Sequence, residues 1–175
     1  MTDVEAIVEA HSAAVWRTAY RLLAHYDDAL DCYQETFLAA LRLANTHEVV
    51  HWRTLLVRIA TRRAIDVLRH RYRADSDASS LNHAVRRSSR VEAPDARAQG
   101  VELLEQVRRA LATMPSQQAE AFWLRHLEHL GSDEVAELLG VERGHVRVLV
   151  HRAAVALRTL LGPTFGPAPV SEELP

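Results

Sequence analysis

The run Ser132-Asp133-Glu134-Val135-Ala136-Glu137-Leu138-Leu139-Gly140-Val141-Glu142-Arg143-Gly144-His145-Val146-Arg147-Val148-Leu149-Val150-His151 decides how this chain is read. Ser132 reads as the cap of a short helix, with Asp133 and Glu134 in the first turn, where the helix dipole favours acid. Ala136 is small where two helices must approach closely. Gly140 stands at a sharp turn and is free to take a left-handed backbone. Val146, Leu149, Val150 and Ala153 then form the apolar stripe of a second helix. With Val135, Leu139 and Val141 they make the pattern of a helix-turn-helix. On the opposite side of the second helix stand Arg143, Arg147, His151 and Arg158, spaced to meet a DNA backbone or groove.

Upstream of this run, the spacing predicts helices over about 100–113 and 117–129, split at Met114-Pro115-Ser116, where Ser116 is placed to cap the second. The last helix runs over about 143–161 and ends at Gly162-Pro163; residues 163–175 read as a disordered tail. Residues 74–98 are polar and serine-rich and read as a flexible linker. Before it lie three more helices. Thr2-Asp3-Val4-Glu5 reads as a capping box, and the first helix continues to about Ala24. Asp27 is placed to cap the second, which buries Ala29, Cys32, Tyr33, Thr36, Phe37, Ala40 and Leu41. Its other face carries Asp31, Gln34, Glu35 and Leu38. After a loop at Asn45-Thr46-His47-Glu48, the third runs from about His51 to Tyr72, with Trp52, Leu56, Ile59, Ala60 and Val67 on its core side.

The expected fold is therefore all-α: two small helical domains, 1–73 and 99–162, joined by the linker. The 175 residues suit that division, and six glycines and six prolines are too few for a turn-rich β-sandwich. The single cysteine, Cys32, excludes an intrachain disulfide or a thiolate zinc cluster and fits a reducing compartment. There is no bilayer-length apolar run, and the acidic N-terminus is unlike a signal peptide, so a cytoplasmic protein without membrane insertion is expected.

The net charge of -2 conceals an uneven distribution. Residues 51–73 hold seven arginines against Asp66, and residues 140–161 hold four against Glu142; the rest of the chain is acidic or balanced. Two basic segments in an acidic chain suit phosphate contact without indiscriminate binding; each alone reads equally as a solvated helix face. All 21 basic side chains are arginine, which fits the composition of a GC-rich genome. On the third helix Arg58, Arg62, Asp66, Arg69 and Arg73 share one stripe, with Arg63 and Arg71 flanking, and Asp66 is spaced to pair with Arg62 and Arg69. A polar loop and Trp52 precede this stripe. They suit an unstacked base, although Trp52 is equally placed to be core.

Taken together, these residues resemble the sigma-70 family, in its small extracytoplasmic-function (ECF) form that keeps only regions 2 and 4. The resemblance is carried by Asp28-Ala29-Leu30-Asp31-Cys32-Tyr33-Gln34-Glu35-Thr36-Phe37, by Trp52, Leu56, Arg58, Ile59, Ala60, Asp66 and Arg69, and by the helix-turn-helix ending in His151-Arg152-Ala153. It covers about residues 4–161. It implies an alternative sigma factor that binds core RNA polymerase through Asp31, Gln34, Glu35 and Leu38. It implies recognition and opening of a -10 element by Asn45, Thr46, Trp52, Arg58, Arg62, Arg63, Asp66, Arg69 and Arg73, with a flipped base held in the loop. It implies contact with a -35 element by Ser132, Arg143, His145, Arg147, His151 and Arg152, and an anti-sigma factor as a further partner. The chain departs from the family pattern at Arg62, Glu142, Val148 and Leu149.

The remaining constellations point elsewhere less strongly. His126 and His129, with Glu128 between them, and His47 with His51 lack further ligands and read as surface histidines, so no metal or other cofactor is expected. No phosphate loop, nucleophile elbow or paired-carboxylate site occurs, and no catalysis by the chain is expected. Two alternatives stay open. One is a stand-alone helix-turn-helix transcriptional regulator. The other is a sigma-like interaction module that has lost promoter reading.

Overall fold

Helix α1 (Val4–Leu23) stops where Ala24 takes a positive φ of 50°. His25, in extended conformation, then occupies the N-cap of α2 (Tyr26–Ala44). Asp27, expected as that cap, lies one residue inside the helix instead, where its charge still complements the dipole. Helix α3 (Trp52–Ala78) follows a short loop. The second half holds α4 (Asp95–Thr113), α5 (Ser116–His126), α6 (Ser132–Leu139) and α7 (Arg143–Leu161). These elements come from a computed structural model that describes residues 4–78 and 95–162, with side chains for 4–74 and 100–162. All regular structure among the described residues is helical, as the sequence predicts. The expected capping box at Thr2 and the tail at 163–175 lie outside them.

Both ends of the expected linker need correction. No glycine or proline interrupts the chain between Tyr72 and Ala78, so α3 continues to Ala78. Helix α4 begins at Asp95, directly after Pro94, a residue tolerated at a helix start. The remaining capping expectations also shift. Pro115 sits at the N-cap of α5, so Ser116 is not its cap. Gly131, not Ser132, is the N-cap of α6, because the Glu134 carboxylate accepts from the Gly131 N–H at 2.6 Å and closes the turn one residue earlier.

Helix α3 is the central element. It packs against α1 and α2 on one side and against α4 and α5, with a smaller contact to α6, on the other. One apolar cluster belongs to the first three helices: Val15, Phe37, Ala40, Leu56 and Ala60, with Tyr33 and Trp52 packed against it. A second joins α5, α6 and α7 through Leu124, Val135, Leu139, Val146 and Leu149, and Val57 of α3 enters it. The third runs across both halves. Leu22, Leu23, Ile65 and Leu68 share it with Leu111, Trp123 and Leu157, all at most 1% exposed. The two halves therefore lie against each other through a shared core, a packing that no local pattern in the sequence announces.

Candidate nucleic-acid interface

Three surfaces carry the residues singled out in the sequence. The first is the outer face of α2. Asp31, Gln34, Glu35 and Leu38 are all exposed on it, Leu38 to 53%. Leu38 is thus an exposed leucine set among acids and an amide. Glu35 accepts a hydrogen bond from the Arg63 guanidinium, which ties this face to α3.

The second surface is a pair of adjoining clefts along α3. One, of about 410 Å³, is formed by residues 44–49 and Trp52. It brings together Asn45, Thr46 and Trp52. Asn45 is the C-cap of α2, its N–H donating to Leu41 O at 3.2 Å. The Thr46 hydroxyl donates to Leu43 O at 3.0 Å and lies 2.8 Å from His47 Nδ1. Trp52 is half-buried, so it serves as core and as cleft wall at once. The other cleft, of about 580 Å³, is lined by Arg42, Arg58, Arg62, Arg63 and Asp66 over an apolar floor of Leu43, Leu55 and Ile59. Burial holds the Arg58 guanidinium below the ordinary arginine range; Glu120 opposes that shift and Arg62 adds to it.

The structure does not bring the whole arginine stripe together. The expected pairing of Asp66 with Arg62 and Arg69 is absent among the described ion pairs. Arg69 instead turns into the α4–α5 junction, donating to Met114 O and Ser116 Oγ. A carbonyl at a helix end and a hydroxyl hold it more closely than a carboxylate on its own helix face. Arg73 stays exposed one turn further on, and Arg71 pairs with Asp28 and donates to Leu23 O at 3.0 Å.

The third surface is α7. Gly140 takes φ 65° and ψ 40°, the left-handed turn that the sequence predicts. Glu142 is the N-cap of α7 and makes no side-chain capping bond. Arg143, His145, Arg147, His151 and Arg152 are exposed, whereas Ser132 at the start of α6 is half-buried. Arg143 Nε lies 3.3 Å from Asp133 Oδ1, a pair that orients it across the two helices. Val148 is 40% exposed beside these cations, but Leu149 is buried in the second cluster and takes no part in the outer face.

Sequence reasoning missed Arg42 and Glu120, and weighed Glu128 only beside the histidines. Arg42 lines the larger cleft. Glu128 accepts from Thr18 Oγ1 at 2.8 Å and from Trp123 Nε1 at 3.1 Å, a structural role and not a ligand's. Glu120 is 3% exposed and faces Arg62, Arg58, Asp66 and Arg69; burial pushes its carboxyl up and those arginines pull it back. One signal for Glu120 was present: it interrupts the otherwise apolar run from Ala119 to Leu124.

The arrangement agrees with what the chain is similar to. The sigma-70 region 2 family model matches residues 7–74, and the sigma-70 region 4 model matches residues 104–157. The RNA polymerase sigma factor CarQ of Myxococcus xanthus is 30% identical over 162 residues, which cover 90% of this chain and 88% of that one. The ECF RNA polymerase sigma factor SigE of Mycolicibacterium smegmatis is 30% identical over 165 residues, which cover 92% of this chain and 62% of that one. This chain belongs to the ECF sigma-70 family. Its region 2 corresponds to α1–α3 and its region 4 to α4–α7. The structure of the sigma factor RpoE of Bartonella quintana, solved with the anti-sigma factor NepR, has the same fold. Its TM-score is 0.56 at 21% identity, covering 92% of this chain and 98% of that chain. No helix among the described residues of this sigma factor is long and apolar enough to cross a membrane.

Proposed function

We propose that this ECF sigma factor directs transcription initiation by docking on core RNA polymerase through α2 and reading promoter DNA through α3 and α7. The observation that carries the reading is the pair of adjoining clefts on α3. The smaller has polar walls and an indole, and suits an unstacked base. The larger is lined by four arginines and suits the strand's phosphates. In this reading Asn45, Thr46 and Trp52 hold the base, and Arg58, Arg62 and Arg63 hold the backbone of the -10 strand. Strand separation then draws on binding energy alone, and the chain performs no covalent step. Arg143, Arg147, His151 and Arg152 meet the -35 duplex, and Asp31, Gln34, Glu35 and Leu38 meet the polymerase. The place of work is the cytoplasm, where polymerase and promoter meet. An anti-sigma factor is a further partner, of the kind found with the Bartonella protein.

The test is transcription by core polymerase plus this chain on a randomised promoter library, with the transcripts sequenced. Start sites preceded by two elements at fixed spacing are expected. Asp31→Arg lowers affinity for core by about tenfold, because it reverses the charge of this face at the proposed interface, while leaving the fold intact. Arg147→Ala lowers initiation from -35-dependent promoters by about tenfold and spares binding of single-stranded -10 DNA. Binding to a palindrome without polymerase, or core binding without initiation, would overturn the reading in favour of a stand-alone regulator or an interaction module.

A further inference from the structure

The larger cleft on α3 has two features that phosphate contact alone does not call for. Its floor is apolar, built from Ala39 and Leu43 of α2 with Leu55 and Ile59 of α3, and Leu43 is 42% exposed. A phosphate gains nothing from such a floor, whereas the flat face of an unstacked base packs on it. Asp66 also lines the cleft, as an exposed carboxylate beside Arg42, Arg58, Arg62 and Arg63. In a cleft that served phosphates only, that charge would repel its ligand.

The fold does not need Asp66 as a counter-charge. Arg63 pairs with Glu35 of α2. Arg58 and Arg62 face the carboxylate of Glu120, a residue only 3% exposed. Arg69 donates to Met114 O and Ser116 Oγ. Asp66 faces Glu120 as well, acid toward acid, and it enters no ion pair among the described residues. The arginines of α3 that face it are thus balanced or engaged by other groups, and its place in the cleft calls for a role toward the ligand.

We propose that the larger cleft is a second base subsite, in which Asp66 accepts a hydrogen bond from the amino group of an unpaired base and so rejects thymine. The inference rests on the reading of α3 given above and adds the chemistry of the base that the cleft takes. A carboxylate only accepts hydrogen bonds. Cytosine, adenine and guanine each carry an exocyclic amino group on the edge that an unpaired base exposes. Thymine presents there a single N–H between two carbonyl oxygens. Turning that N–H toward Asp66 brings a carbonyl oxygen up beside the carboxylate, so thymine meets repulsion where the other bases meet an acceptor. The base lies on Leu43, Leu55 and Ile59, and the arginines around it hold the flanking phosphates.

The experiment uses the full chain assembled with core polymerase. Its probe is a short fluorescein-labelled single strand of thymidines, with or without one cytidine at the centre, and anisotropy reads the affinity. In the wild type the cytidine should tighten binding roughly tenfold. Pyrimidin-2-one at the same place, which is cytosine without its amino group, should forfeit that gain. This arm needs no variant and so does not depend on how a substitution folds. Asp66→Asn should bind both strands at least as tightly as the wild type, since a negative charge leaves the cleft. Its preference for cytosine should nevertheless fall below about twofold, because an amide both donates and accepts. Arg58→Ala with Arg63→Ala should weaken binding of both strands. No preference for cytosine, a preference that survives loss of the amino group, or one that Asp66→Asn leaves intact overturns the base subsite alone, provided the arginine pair still weakens binding. An arginine pair whose loss weakens neither strand sinks the reading of α3, and the base subsite with it.

Discussion

Cys32 illustrates how one residue reports on its surroundings. Its thiol is buried between α2 and α3, with Sγ donating to Ala60 O at 3.6 Å. Burial pushes the thiol up from 9.0 to about 11, while Thr36 and then Arg63 oppose the shift. The native form therefore keeps its proton in a range where the unfolded chain has lost it. Its contribution to stability is complete below pH 9 and is lost as pH rises towards 11. Denaturant midpoints should fall over that interval in the wild type. The fall should be shallower in Cys32→Ala, when each protein is compared with its own midpoint at pH 8. The helical phase of Cys32 was legible in the sequence, since the three-four rhythm from Ala29 to Leu41 fixes which face is buried. The fate of Arg69 was not. Its stripe on α3 shows where it emerges from the helix, but its partners, Met114 and Ser116, are 45 and 47 residues away.

At the scale of elements, the turn between α6 and α7 makes a contrasting pair of glycines. Gly140 has φ 65°, and open space surrounds the position of an added Cβ. Gly140→Ala therefore meets no neighbour but carries the intrinsic penalty of the left-handed conformation, about 1 kcal/mol. Gly144 is four residues on, inside α7, and also faces open space. Gly144→Ala should stabilise by about 0.5 kcal/mol, since the helix loses its most entropically costly residue. Thermal melts should show Gly140→Ala below wild type by about 3 °C and Gly144→Ala above it. The helices themselves were readable because periodicity, Pro115 and Gly140 mark their faces and ends. The caps shifted by a residue because a helix end is settled by whichever nearby group completes its hydrogen bonds. At α6 that group was the Glu134 side chain.

Across the whole molecule, the shared cluster makes the two halves one cooperative body in isolation. With Trp16→Phe and Trp52→Phe, Trp123 is left as the single fluorescent probe in region 4. Its unfolding transition in urea should coincide with that of far-ultraviolet circular dichroism, which reports the seven helices of the described residues together. Glu128→Ala removes the acceptor shared by Thr18 and Trp123, and should separate the two curves. Sequence reading recovered both modules but not their embrace. Thr18 and Glu128 stand 110 positions apart, and hydrophobic periodicity says which side of a helix is buried without saying against what.

That common core also sets a requirement on any state in which the modules part. Leu22, Leu68, Leu111 and Trp123 lie in one cluster that spans the seam, so separation bares greasy patches on both modules at once. A spreader that merely pulled them apart would leave two adhesive surfaces, ready to rejoin or to clump with neighbours. Whatever holds this protein extended must therefore supply replacement upholstery as well as leverage.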